Sequence, residues 1–300
     1  MLKYLYQKEI CMEKILITGG NGFFASRFTN YYKDKYEIVC VDKDQVDIVN
    51  KKEIVKFITK HNPDYVIHAA AIAVTDFCNK NPEIAHTVNV TGALNVAKGC
   101  IETSSKMVFL SSEQVFNGNT KGAPFSEDDI AIPNTVYGEN KLEAENLLKE
   151  MIKELYIIRF TWLFGVPEKN QPVNPNILWD TVKSAIKNQK QILPVNEFRG
   201  MAYANDVIEK FHKIFSLPYD AYHVGAENDL SRYETAKFVL EQMGLSHRID
   251  TLLEKDEEKY KINPRDVRLS TDKIRNKGID FLNTKEGIIK SINDYSLKMI

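Results

Sequence analysis

The chain has 300 residues, 43% hydrophobic and 27% charged, with 40 Lys and Arg against 41 Asp and Glu and a formal net charge of −1. Enough apolar surface is present to build a sizeable core, which excludes a disordered chain, and the mixed charges exclude the basic stripe that holds nucleic acid. Cys11, Cys40, Cys78 and Cys100 share no C-x-x-C spacing and no H-E-x-x-H occurs, so neither a metal site nor a disulfide framework is expected, and the thiols read as reduced in a cytoplasm.

The opening "MLKYLYQKEICMEKILITGG" lacks the sustained apolar stretch and small-residue cleavage site of a signal peptide. Residues 1–12 read as an N-terminal extension, with Met12 directly before the first strand. The longest apolar run, "YVIHAAAIAV", contains His68 and stops at Asp76, too short to span a bilayer, so no membrane association is expected.

From Glu13 onward short β-branched runs alternate with helical stretches. The order is "KILIT", a helix after Gly22, "YEIVCVD", a helix from Lys51, "DYVIHAA", a long helix from Pro82, "KMVFLSS", a helix containing Tyr137, and "LYIIRF". Strands separated by helices predict parallel β-α-β units, an α/β fold with a Rossmann-type doubly wound parallel sheet over residues 13–165. Beyond it "GVPEKNQPVNPN" reads as a long loop. Helices near 176–188, 205–216 and 231–243, with the short strands "QIL" and "AYHVG", predict a smaller α/β substrate-binding lobe over 166–300 that returns in places to the core.

The first strand-to-helix turn, "ILITGGNGFFASRF", spaces Gly19, Gly22 and Ala25 three apart. A pyrophosphate needs this: a tight turn, close backbone approach, helical N–H groups, and a small residue where helix meets sheet. The predicted cofactor cradle comprises Gly19, Gly22, Phe23 and Phe24, with Asp42 at the end of the second strand to accept hydrogen bonds from an adenosine ribose. The Asp42 charge repels a 2′-phosphate and favours NAD(H). The adjacent Lys43 could instead pair with that phosphate, so NADP(H) stays open. Asp47 and Ile48 are expected at the adenine edge, and Ala69, Ala70 and Ala71 beneath a cofactor lying over the strand ends.

Tyr-x-x-x-Lys occurs at Tyr4–Lys8, Tyr31–Lys35, Tyr137–Lys141 and Tyr233–Lys237. At Tyr137 alone does the match follow a strand ending in adjacent serines, Ser111 and Ser112. One helical turn sets Tyr137 and Lys141 on one face, and the carboxyl ends of a doubly wound sheet are where ligands bind. Ser112, Tyr137 and Lys141 are therefore the predicted catalytic group, with Lys141 expected to draw the phenol toward working pH.

The motifs "TGGNGFFA", "PDYVIHAAA", "NPEIAHTVNVTGALNVA", "SSEQVFNG", "VYGENKLEAE", "RFTWLFG" and "PRDVRLST" together resemble the extended short-chain dehydrogenases/reductases, in particular the dTDP-4-dehydrorhamnose reductase branch. The resemblance implies NAD(P)H-dependent reduction of the 4-keto group of a nucleotide-activated deoxysugar, and a homodimer packed through helices such as 82–102 and 136–154. It matches Asn89 to an asparagine serving the cofactor site and a proton path, and Trp162 to an aromatic lining the sugar pocket. Glu113, Val115 and Phe116 are expected beside it. The branch carries an Asp and an aromatic where Glu113 and Gln114 stand, and an Asp at Asn117, so substrate contacts are expected to differ. Arg265 and Arg268 are candidates for a diphosphate or for salt bridges with Asp266 or Asp272. Gln114 cannot serve as the base a dehydratase needs, whereas an epimerase or a cofactor-binding regulatory subunit remains an alternative.

Overall fold

The protein is described by a computed structural model covering residues 12–169 and 171–299. Apart from Met12, the expected extension lies outside the described residues, as do Cys11 and the Tyr4–Lys8 match.

The first half folds in the expected order: β1 (Lys14–Thr18), α1 (Phe23–Tyr32), β2 (Glu37–Val41), α2 (Lys51–His61), β3 (Tyr65–His68), α3 (Thr75–Lys80), α4 (Pro82–His86), α5 (Gly92–Thr103), β4 (Lys106–Ser112), α6 (Val136–Met151) and β5 (Leu155–Phe160). Then follow β6 (Trp162–Phe164), α7 (Ile177–Lys187), β7 (Gln191–Pro194), β8 (Glu197–Phe198), β9 (Met201–Tyr203), α8 (Ala204–Phe211) and β10 (Ala221–Val224). The chain closes with α9 (Arg232–Gln242), α10 (Ile249–Leu252), β11 (Leu253–Asp256), β12 (Arg265–Asp266), α11 (Asp272–Arg275) and α12 (Thr284–Asp294).

Six strands pair in parallel in the order β10-β5-β4-β3-β1-β2. The apolar runs form strands because both faces of the sheet are covered. Ile15 and Ile17 point into a core with Phe24, Phe28 and Phe211, while Leu16 points into the opposite one with Val66, Val96 and Leu148. The strand order reverses between β1 and β3, which opens a crevice at their carboxyl ends.

The second half divides its residues between two places. Ile208, Phe211 and Val224 join the core around α1. Leu178, Val182, Val239, Leu240 and Ile288 build a separate core among α7, α9 and α12, alongside the parallel pairs β6–β9, β7–β11 and β8–β12.

The predicted single helix from Pro82 is interrupted. Residues Thr87–Thr91 form a π-helical turn between α4 and α5, which bulges the backbone and aims a side chain inward. Asn89, buried in that turn, accepts the Ile72 N–H at 2.8 Å and donates to the Ile72 carbonyl at 3.0 Å, pinning the segment after β3.

Two histidines sit fully buried in the sheet. Burial, helped by repulsion from Lys141 in one case and Arg159 in the other, lowers the pKa of His68 and of His223 to about 3. The unfolded chain protonates both near 6.5 while the native state does not, so stability falls as pH drops from that value toward about 3. Urea unfolding should show a loss of about 2 kcal/mol per ring between pH 7 and pH 5, and His223→Gln should roughly halve it; stability that stays flat over this range would contradict the assignment.

Candidate active site

The glycine turn is built where β1 ends. Gly19 has φ +71°, and a Cβ there would stand 2.8 Å from the Ala70 Cα and N, so only glycine lets β1 and the segment after β3 approach. Its N–H donates to the Val41 carbonyl at 2.8 Å, and Gly22 donates to Gly19 at 2.9 Å. Gly22 is the N-cap of α1 and supplies no side-chain cap, so the first helical N–H groups are available to an anion at the crevice. Ala69, Ala70 and Ala71 are half-buried on the facing wall.

Asp42 lies beside this turn, half-buried, and its Oδ2 accepts the Asn21 N–H at 2.5 Å. Asp47 Oδ1 accepts from the Val49 N–H at 2.9 Å. Three of the residues expected at the cofactor have buried side chains. The Ile48 side chain is buried against Gly92, and its carbonyl accepts from Asn95. Phe23 is buried under the Arg27 guanidinium, 3.9 Å from the ring centroid, and Phe24 packs among Phe28, Phe160 and Phe211. These three side chains serve the core; only their backbone groups could meet a dinucleotide.

Across the crevice, Thr135 caps α6 by accepting the Gly138 N–H at 3.1 Å. Gly138 allows the helix to press on the segment after β4, since a Cβ there would meet the Gln114 carbonyl at 2.5 Å. This seats Ser112, Tyr137 and Lys141 together. Ser112 Oγ accepts the Gln114 N–H at 3.3 Å, and the Lys141 ammonium sits 5.9 Å from the Tyr137 ring centroid and 4.6 Å from that of Phe109. Lys141 is 3% exposed and donates to the Leu110 carbonyl at 2.8 Å.

The electrostatics differ from the expectation that Lys141 lowers the phenol's pKa. Burial pushes the Tyr137 phenol up, a hydrogen bond to Ser112 pulls it back, and Cys78 and Glu113 nearby push further upward. Lys141 is itself lowered to about 8 by burial, against the pull of Glu145. Desolvation outweighs the neighbouring charge here: Lys141 is almost wholly out of water and Tyr137 partly so.

The substrate side departs further from the sequence reading. Val115 and Phe116 are fully buried, with Phe116 stacked on Phe125 at 4.9 Å, because the 3-10 turn Glu113–Phe116 carries them into a core. Glu113 is also buried and is ion-paired to Arg199, with its second oxygen unpartnered. Burial raises its pKa against the pull of Arg199. Trp162 is partly exposed, with the guanidinium of Arg199 at 4.5 Å and that of Arg232 at 5.3 Å from its ring.

Arg265 donates to Asn117 at 2.9 Å, Glu197 at 3.0 Å and Gln114 at 3.2 Å, whereas Arg268 pairs with Asp266 at 2.7 Å. Burial would raise the Glu197 pKa, but Arg232, Arg265 and Arg199 outweigh it and hold it below the usual range. Sequence reasoning missed Arg199, Glu197 and Arg232; the first two show only as a pair of opposite charges inside the short run "NEFRG", and Arg232 stands apart from them in "LSRYE". Among the described residues no cluster of three or more His, Cys, Asp or Glu could hold a metal ion, and no helix is long and apolar enough to cross a membrane.

This arrangement offers a dinucleotide a cradle, and beside it two hydroxyls and an ammonium at the strand ends. The family model of the RmlD substrate binding domain matches residues 12–297. A spore coat polysaccharide biosynthesis protein, SpsK, of Bacillus subtilis is 30% identical over 240 residues, covering 79% of this chain and 82% of that one. The dTDP-4-dehydrorhamnose reductase of Aggregatibacter actinomycetemcomitans is 29% identical over 242 residues, covering 77% and 79%. In fold, the chain is similar to a dTDP-4-dehydrorhamnose reductase from Bacillus anthracis solved in complex with NADP, with a TM-score of 0.84, 22% identity and coverage of 94% and 99%.

Gly19→Ala should weaken NADH binding by at least about tenfold, since both the positive φ and the contact with Ala70 are lost to strain. Fluorescence titration of the reduced dinucleotide checks this; unaltered affinity in a folded variant would remove the cradle from this turn.

Proposed function

The chain belongs to the RmlD substrate binding domain family, and from that premise we propose that it is an NAD(P)H-dependent oxidoreductase that reduces the 4-keto group of a nucleotide-activated deoxysugar. The observation that carries this reading is the convergence of Ser112, Tyr137 and the buried Lys141 across the crevice from the Gly19 turn. The relatives named dTDP-4-dehydrorhamnose reductase supply the substrate class.

The Gly19 turn and the uncapped start of α1 fit a pyrophosphate, and Asp42 fits a ribose diol. NAD(P)H, when bound, supplies the hydride. The Tyr137 hydroxyl donates its proton to the carbonyl oxygen as that oxygen gains charge, and the Ser112 hydroxyl hydrogen-bonds the same oxygen. A phenol whose pKa is raised by burial is held protonated, the form in which it is an acid. Lys141 would hold the nicotinamide ribose of a bound cofactor and would favour the phenolate that proton donation leaves behind. Trp162 offers the sugar a flat apolar face, stiffened by the two guanidiniums. Arg265, held by Gln114, Asn117 and Glu197, borders the path to the diphosphate.

Asp42 favours NADH over NADPH. The same reading has the enzyme working in the cytoplasm as a homodimer packed through α5 and α6, where Ile101 and, on the adjoining α4, Ile84 are exposed.

With NADH and a panel of 4-keto-6-deoxy sugar nucleotides, absorbance at 340 nm should fall in a substrate-dependent way. Tyr137→Phe should cut kcat/KM by about 10²–10⁴ while leaving dinucleotide affinity within a few-fold. An undiminished rate in Tyr137→Phe would sink the role given to the phenol, and dinucleotide binding without any oxidation would turn the reading toward a regulatory subunit. Asp42→Ala should shift the NADPH-to-NADH preference upward by about tenfold, because the charge facing a 2′-phosphate is gone.

A further inference from the structure

One buried group beneath the site has no part in the chemistry above. Glu145 lies one helical turn after Lys141 on the same face of α6 and is fully buried. Its carboxylate accepts from Ser111 Oγ at 2.5 Å and from Arg159 Nη2 at 2.6 Å and Nε at 3.1 and 3.2 Å. Ser111 and Arg159 are themselves only 4% exposed. Lys141 and Glu145 therefore grip successive residues of β4, the first at the Leu110 carbonyl and the second at the Ser111 hydroxyl, and Ser112 is the next residue along.

We propose that Glu145 is a positioning residue, the buried counter-charge that keeps Lys141 an ammonium and, through Ser111, fixes the end of β4 so that Ser112 faces Tyr137.

The groups around Lys141 leave this role to Glu145. His68, from β3, is held neutral by burial and hydrogen-bonds Thr18 at 2.7 Å. Arg159, from β5, is cationic and bound to Glu145. Tyr137 on α6 is neutral, Cys78 on α3 is a thiol whose pKa is raised, and Glu113 after β4 is paired to Arg199. Glu145 is the carboxylate of this set whose charge reaches Lys141, acting against the burial that lowers the ammonium's pKa to about 8. A buried ammonium deprived of that charge binds its proton more weakly, and loses it at lower pH.

The test reads Lys141 directly. In chain labelled with [15N]lysine, the Nζ resonance that Lys141→Arg removes is titrated in wild type, Glu145→Gln and Glu145→Asp. Removing the charge should move the Lys141 midpoint down by about one pH unit, a tenfold loss in proton affinity, and Glu145→Asp should restore most of it. The alkaline limb of kcat/KM should move to lower pH by the same interval. Because Glu145→Gln leaves Arg159 buried and alone, it is paired with Glu145→Gln/Arg159→Met, which removes both charges; its midpoint should also fall, by less. A folded variant whose Lys141 titrates as in wild type would overturn the proposal and leave Glu145 a structural partner of Arg159. The inference rests on the reductase reading only for the kinetic limb: absence of turnover in wild type would defeat that reading, while the nitrogen titration would still decide the role of Glu145.

Discussion

A parallel sheet covered on both faces leaves its polar chain ends exposed along two edges, and that constraint organises this protein. Helices close over the cores around Ile17 and Leu16, so the carboxyl edge is the place where loops from several strands can gather. At this edge β1 leads into Gly19, β2 into Asp42, β3 into the alanines from Ala69, and β4 ends in Ser112. The reversal of strand order between β1 and β3 keeps the crossing helices from filling the gap.

Within the crevice, desolvation sets the protonation states. Lys141 leaves water almost completely, and so its charge depends on the groups that replace water: the Leu110 carbonyl, the Phe109 ring and the Glu145 carboxylate. The phenol of Tyr137, partly buried beside Lys141, is kept protonated by loss of water, with Ser112 as the opposing influence. Glu113, Glu197 and their arginines extend the pattern to the substrate side, where both of these buried carboxylates are held by guanidiniums.

The fold was legible because its signals are local. Aliphatic runs of strand length, bounded by turn residues, can be read without knowing what covers them, and the Gly19 turn carries its chemistry within a few residues. Tyr137, Lys141 and Ser112 were legible for a related reason: one helical turn and one strand end bring them together. Val115 and Phe116, expected beside the sugar pocket, lie in a core instead, because the 3-10 turn that follows Ser112 carries both side chains inward. For Phe23, Phe24 and Ile48 a residue name does not separate side chain from backbone: their side chains are buried, which leaves the backbone to meet a dinucleotide. Arg199 was beyond reach, and Arg265 was singled out without its partners, since Glu113 and Gln114 lie 86 and 151 residues away along the chain from them. The π turn at Asn89 was not legible either: the run from Pro82 reads as one continuous helix.

The central claim is that this edge delivers hydride to a sugar carbonyl while Tyr137 delivers the proton. Incubating the protein with NADH deuterated at nicotinamide C4 and a nucleoside-diphosphate 4-keto-6-deoxyhexose, then locating the label by NMR, tests it most directly. The account predicts deuterium on C4 of the product sugar. Recovery of unreduced 4-keto sugar, or of an altered sugar carrying no deuterium, would contradict it.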